Sequence, residues 1–99
     1  MKKFKFDKNL DVAIEGDWLG DTILHLVAGQ GNIIVLKHKS VDVVKNKLGK
    51  TPLHELARSG NIEVLKHKSV DVVKNDAGET PRDHYNQYLK IHWRENEKV

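Results

Sequence analysis

From residue 51 onward the apolar positions fall into two short sets divided by a glycine. Leu53, Leu56 and Ala57 stand at i, i+3 and i+4, one stripe along a helix of about two and a half turns. Thr51 suits the N-cap and Pro52 the first helical position, where a missing N–H costs nothing. Gly60 ends the helix in a left-handed conformation. Asn61 then caps a second short helix, with Ile62 and Leu65 turned inward and Val64 a third candidate for that face. The stretch of Thr22, Ile23, Leu24, His25, Val27, Ala28, Gly31, Asn32 and Ile33 has the same frame, with isoleucine in place of the proline. Neither helix persists alone, because isolated helices shorter than roughly 12–15 residues are marginal in water. They must pack on each other and on the neighbouring pair.

Between helix pairs lies Ser69-Val70-Asp71-Val72-Val73-Lys74-Asn75-Asp76-Ala77-Gly78. The alternation of Val70 and Val72 with Asp71 favours an extended arm ending in an Asn/Asp/Gly turn. Val70 and Val73 also stand three apart, so a single helical turn capped by Ser69 is the alternative. At the N-terminus Phe4, Phe6, Leu10, Val12 and Ile14 alternate with polar residues in a strand-like pattern that can cover the first helix pair.

The pattern repeats. Val35 to Asn46 recurs letter for letter as Val64 to Asn75, 29 residues later, and Gly20, Gly49 and Gly78 and Thr22, Thr51 and Thr80 keep that interval. A chain repeating at this period stacks one small unit on itself. The third unit begins at Thr80-Pro81 and then departs: Arg82 takes a leucine slot, Asn86 the alanine slot and Leu89 the terminating glycine's slot. Without that glycine the helix runs on through Tyr85, Tyr88, Leu89 and Ile91, as a polar-faced terminal cap requires. Such a cap fits a complete chain rather than part of a longer array.

Thr51-Pro52-Leu53-His54-Glu55-Leu56-Ala57-Arg58-Ser59-Gly60, with Gly49 before it and Asn61-Ile62-Glu63-Val64 after it, resembles the ankyrin-repeat signature over residues 17 to about 85. The resemblance implies a mainly α fold, an ankyrin-like solenoid of stacked short helix pairs whose inner helices and arm tips form a concave binding face. It divides the single domain 1–99 into an N-terminal strand-like cap (1–16), two repeats (17–48 and 49–77) and a C-terminal helical capping repeat (78–99). It also gives His25 and His54 a structural role, bonded to backbone or to the threonine hydroxyl at the helix start. Two features depart from the family. The usual period is 33, so each unit lacks about one helical turn, from the second helix. Val27 and Leu56 stand where alanine is usual, and their bulk fills the volume that turn vacates. A HEAT-like or leucine-rich-variant solenoid is the weaker alternative.

Composition narrows function by exclusion. Ninety-nine residues make one domain, and 38% apolar with 31% charged residues describes a modest core. There are no cysteines, hence no disulfide or thiolate site, which suits a cytoplasmic setting. Charged residues interrupt every apolar window, which leaves neither a signal sequence nor a membrane span. No glycine-rich phosphate loop, Gly-x-Ser-x-Gly or recurring carboxylate pair is present, and His54-Glu55 lacks the second histidine of a zinc protease because position 58 is arginine. Neither an enzyme nor a bound cofactor or metal is expected.

A binding surface remains. Positions that differ between copies while the framework does not are Leu26 and Glu55, Gly29 and Arg58, and Gln30 and Ser59 on the inner helices. On the tips they are Trp18, Leu19, Asp21, Lys47, Leu48, Lys50, Asp76 and Glu79. A protein partner is the first expectation, with Trp18 either an anchor or a side chain packed on the N-terminal strand. The alternative is a nucleic acid or other polyanion on the ladder Lys37, His38, Lys39, Lys66, His67 and Lys68, although the formal charge is only +3. Those cations also complement helix C-termini, which is the plain explanation for them. A third possibility is self-association, so the chain is expected as a monomer or weak homo-oligomer.

Overall fold

The computed structural model describes residue 14 and residues 17–97, with side chains as far as residue 92. The strand-like pattern of residues 1–13 and the side chain of Trp93 lie outside the described residues. The described chain is mainly helical. Its elements are α1 (Ile23–Gly29), a first 3₁₀ helix (Ile33–Lys37), α2 (Pro52–Arg58), a second 3₁₀ helix (Ile62–Lys66) and α3 (Pro81–Glu97). Helix α2 packs against α1 on one side and α3 on the other.

Each short helix begins as its sequence dictates. The Thr51 hydroxyl accepts from the His54 N–H at 3.3 Å, while the Thr51 N–H donates to Nδ1 of His54 at 3.1 Å. Thr22 and His25 form the same reciprocal pair, at 3.3 and 3.1 Å. At Thr80 the histidine slot holds Asp83, whose carboxylate accepts the Thr80 N–H at 2.9 Å while its own N–H donates to the Thr80 hydroxyl. Gly60 follows α2 with φ +88°, the left-handed exit expected of it. Position 89 carries leucine instead, and α3 runs on to Glu97.

The core between the helices is Leu24, Ala28, Val35, Leu53, Leu56, Ala57 and Val64, all fully buried, joined by Val41, Val70 and Tyr85. Leu56 and the half-buried Val27 both pack here, beside second helices only five residues long.

Two expectations are corrected. Val64, not Ile62, is the inward residue of the second short helix; Ile62 is 60% exposed and Leu65 half-buried. With three residues per turn in a 3₁₀ helix, Asn61, Val64 and His67 share one face and Ile62 and Leu65 another, and it is the first that turns to the core at Val64. The Asn61 amide donates to the Gly31 carbonyl at 3.3 Å along that inner face.

The connecting segment is a helical turn at its start, not an extended arm. The N–H groups of Val72 and Val73 both donate to the Ser69 carbonyl, at 3.1 and 3.3 Å, as Val43 and Val44 do to Ser40. Val41 and Val70 turn inward, and their carbonyls receive the N–H of Leu53 and of Arg82 at the following helices. Burying one valine and linking the turn to the next helix outweighs the β preference of the Val-Asp-Val alternation.

Helix α3 runs on through Tyr85, Tyr88, Leu89 and Ile91, as expected without a glycine at 89. Tyr85 is buried and Tyr88 half-buried, but Leu89 and Ile91 are exposed, at 44% and 63%. Arg82, in its leucine slot, turns outward and grips both carboxylate oxygens of Asp71. That carboxylate raises the arginine's pKa further above its ordinary value.

The identical dodecapeptides adopt the same conformation. Both 3₁₀ helices end in extended histidines, with φ/ψ of −85°/134° at His38 and −79°/138° at His67. Among the described residues no helix is long and apolar enough to cross a membrane.

Candidate functional site

The tip turns are built by an aspartate or asparagine side chain at a 29-residue interval. Asp17, Asn46 and Asn75 each accept two N–H groups with a single side-chain oxygen: Leu19 and Asp21, Leu48 and Lys50, Ala77 and Glu79. Adjacent tips are then joined through backbone, Lys47 N–H to the Leu19 carbonyl at 2.8 Å and Asp76 N–H to the Leu48 carbonyl at 3.0 Å. The tips are therefore held in a row.

His25 and His54 connect each helix to the next tip. Nε2 of His25 lies 2.7 Å from the Lys50 carbonyl, and Nε2 of His54 lies 2.8 Å from the Glu79 carbonyl. Since a carbonyl only accepts, Nε2 carries the proton and Nδ1 is left to accept the threonine N–H. Both ring nitrogens are occupied and the rings are buried, which leaves no lone pair for proton transfer. Burial, more than the nearby charges of His84, Lys50 and Lys45, pushes the His54 pKa down from 6.5 to about 4.

A third ring, His84, stands edge-on to His54 with centroids 5.3 Å apart. Its Nε2 is 3.7 Å from a Glu79 oxygen, which would be an ion pair were the ring protonated. Burial lowers its pKa, however, and the Asn75 amide donates to the same nitrogen at 3.2 Å, so the neutral ring fits better. Among the described residues no group of three His, Asp or Glu side chains could hold a metal ion.

Two shallow depressions lie beside α2 and share Arg58. The smaller, about 270 Å³, is lined by Gly29, Glu55, Arg58 and Ser59. The larger, about 460 Å³, runs from Lys50, Arg58 and Glu79 to the α3 residues His84, Gln87, Tyr88, Ile91 and His92. Of the residues expected at a binding face, Lys50, Glu55, Arg58, Ser59 and Glu79 are thus brought together. Trp18, Leu19, Asp21, Leu26, Gln30, Lys47, Leu48 and Asp76 line neither depression. Trp18 is nevertheless 79% exposed on its turn, and Leu26 and Leu48 are exposed as well.

Three of these side chains have structural work. The Ser59 hydroxyl donates to the Leu56 carbonyl at 2.6 Å. An Asp21 oxygen accepts the Asn46 amide at 2.9 Å, tying the first tip to the second. Glu79 accepts from the Asn75 amide at 3.2 Å and the Gln87 amide at 2.8 Å, and these bonds, Asn75 first, lower its pKa.

The α3 wall of the larger depression was not foreseen. The signal for it is present, because His84, Gln87, Tyr88 and Ile91 recur at i, i+3, i+4 and i+7 once position 89 is not glycine.

The basic ladder is partly spent on structure. Nδ1 of His38 accepts the Ser40 N–H at 3.1 Å, and Nδ1 of His67 the Ser69 N–H at 3.0 Å, each closing the turn that follows. Lys66 pairs with Glu63 at 3.4 Å, while Lys37, Lys39 and Lys68 are exposed. No protein-family model matches the chain, and no curated protein matches it in sequence.

Proposed function

We propose that this chain is a non-catalytic module of ankyrin type, a short solenoid that binds a protein partner across α2, α3 and the bases of the tips. Helix pairs stack at a 29-residue interval, and α3 closes the C-terminal end. The observation that carries the reading is the pair of depressions meeting at Arg58. They collect Gly29, Lys50, Glu55, Arg58, Ser59 and Glu79 of the residues that differ between copies, while the bonds that repeat between copies belong to the framework. Varied positions gathered on one side of an invariant scaffold are what a recognition surface needs.

Affinity capture with the native chain, Arg58→Ala and Trp18→Ala tests the reading. Loss of a partner with Arg58→Ala supports the inner face, and loss with Trp18→Ala extends the contact to the tips. A partner retained by both variants but lost with Lys37→Ala and Lys68→Ala would refute it. If such binding also falls by orders of magnitude between low and elevated salt, it belongs to a polyanion.

A further inference from the structure

Lys50 and Arg58 are the cations of the larger depression, and among the described residues neither makes an ion pair. The carboxylate in that depression, Glu79, is already engaged by the amides of Asn75 and Gln87. Next to the two cations stands a partly apolar wall. The Tyr88 and His92 rings lie with centroids 4.1 Å apart, and Ile91 is exposed beside them.

We infer that this depression takes an acidic peptide segment, with one carboxylate seated between Lys50 and Arg58 and a neighbouring aromatic or large apolar side chain laid on the Tyr88–His92–Ile91 wall. The inference rests on the binding-module reading and adds the chemistry of the partner. A guanidinium presents a fork of donors that a carboxylate fills with two hydrogen bonds, so an unpaired arginine in a concave site selects for that group. The ring wall then rewards an aromatic neighbour through area and offset stacking.

Charge on either side argues for a peptide and against a nucleic acid. Glu79 lies within the same depression and Glu55 faces Arg58 from the smaller one. A polyphosphate, charged at every residue, would meet both carboxylates; a peptide can place one acid over the cations and a neutral or basic residue over Glu55.

Selection of a phage-displayed random dodecapeptide library on the intact chain tests this, followed by fluorescence anisotropy of an enriched peptide and its Asn/Gln-for-Asp/Glu copy. Enriched sequences should pair an acidic residue with an aromatic or large apolar one. The amide copy should bind about tenfold more weakly, as should the Lys50→Gln and Arg58→Gln variants against the original peptide. Lys68→Gln should leave binding unchanged, with far-UV circular dichroism confirming the fold of each variant. Enriched peptides without acidic residues that still depend on Arg58 would overturn the acidic partner and leave the module reading intact. Enrichment indifferent to Arg58, Lys50 and Trp18, or none at all, would overturn both. Oligouridylate bound as tightly as the best peptide and lost with Lys50→Gln would reassign the depression to nucleic acid.

Discussion

Acid should loosen this fold through His54. The ring is buried, accepts the Thr51 N–H at Nδ1 and donates from Nε2 to the Glu79 carbonyl. A proton added at Nδ1 would face the Thr51 N–H directly, with only the Thr51 hydroxyl oxygen, 2.9 Å away, to accept it. Burial thus holds the pKa at about 4, against an ordinary 6.5. Between those values the unfolded chain binds a proton that the folded chain refuses. Stability from this ring is therefore fully present above about pH 6.5 and is lost as pH falls towards 4, an effect on the order of 3 kcal/mol.

His84 is displaced downward too, chiefly by burial, and works in the same direction. Glu79 and Asp83 are held below their ordinary 4.5 and 3.8, so their contribution is present above those values and is lost only at lower pH. The window between about pH 6.5 and 4.5 consequently isolates the histidines. Urea denaturation followed by far-UV circular dichroism through that window should show the midpoint falling steadily. His54→Asn, whose amide oxygen can still accept the Thr51 N–H, should lower stability near neutrality by about 1–3 kcal/mol and flatten the slope. A wild-type midpoint constant across the window, or the same slope in the variant, would refute a buried neutral ring.

Gly60→Ala should cost roughly 1–2 kcal/mol from its left-handed backbone and more because a methyl there would run into the Tyr88 ring. Gly31→Ala, with φ +84° but only the Ser59 side chain within 4 Å, should cost less by chemical denaturation, and equal losses would dismiss the ring contact. Leu56→Ala should destabilise by roughly 2–5 kcal/mol, since Leu56 is fully buried in the core; a neutral outcome would show that its bulk fills nothing. Val64→Ala should lower the urea midpoint clearly while Ile62→Ala barely moves it. The reverse ranking would put Ile62 rather than Val64 in the core.

The helix starts and stops were legible because each depends on local chemistry. Thr51, Pro52 and Gly60 act within one turn of themselves, and the matching positions at Thr22 and Gly31 behave alike. The histidine role was legible for the same reason at its Nδ1 end. What the periodicity misread was the segment too short to have one. Five residues from Ile62 to Lys66 fit either an α or a 3₁₀ register, and the choice is made by tertiary bonds such as Asn61 to Gly31. The Ser69–Val72 turn was similarly ambiguous, since a valine pair three apart and a valine pair two apart coexist there. Its helical form is selected by Val70 burial and by the bond from Arg82 N–H to the Val70 carbonyl, neither visible within a local window.

The candidate site was half legible, and the missing half follows from two substitutions in the third copy. In α1 and α2 the histidine both caps its own threonine and donates to the carbonyl of the tip that follows. Asp83 retains the capping contact with Thr80 but carries no N–H to reach beyond it. Helix α3 therefore receives the contacts of α2 without extending the series of forward bonds. Leu89 in place of glycine meanwhile lets α3 continue, carrying Ile91 and His92 past the point where α2 stops. The first change ends the bonding series and the second builds the wall that faces Lys50 and Arg58. Comparison of the two identical dodecapeptides draws attention to what repeats; the groove is made where the repetition fails.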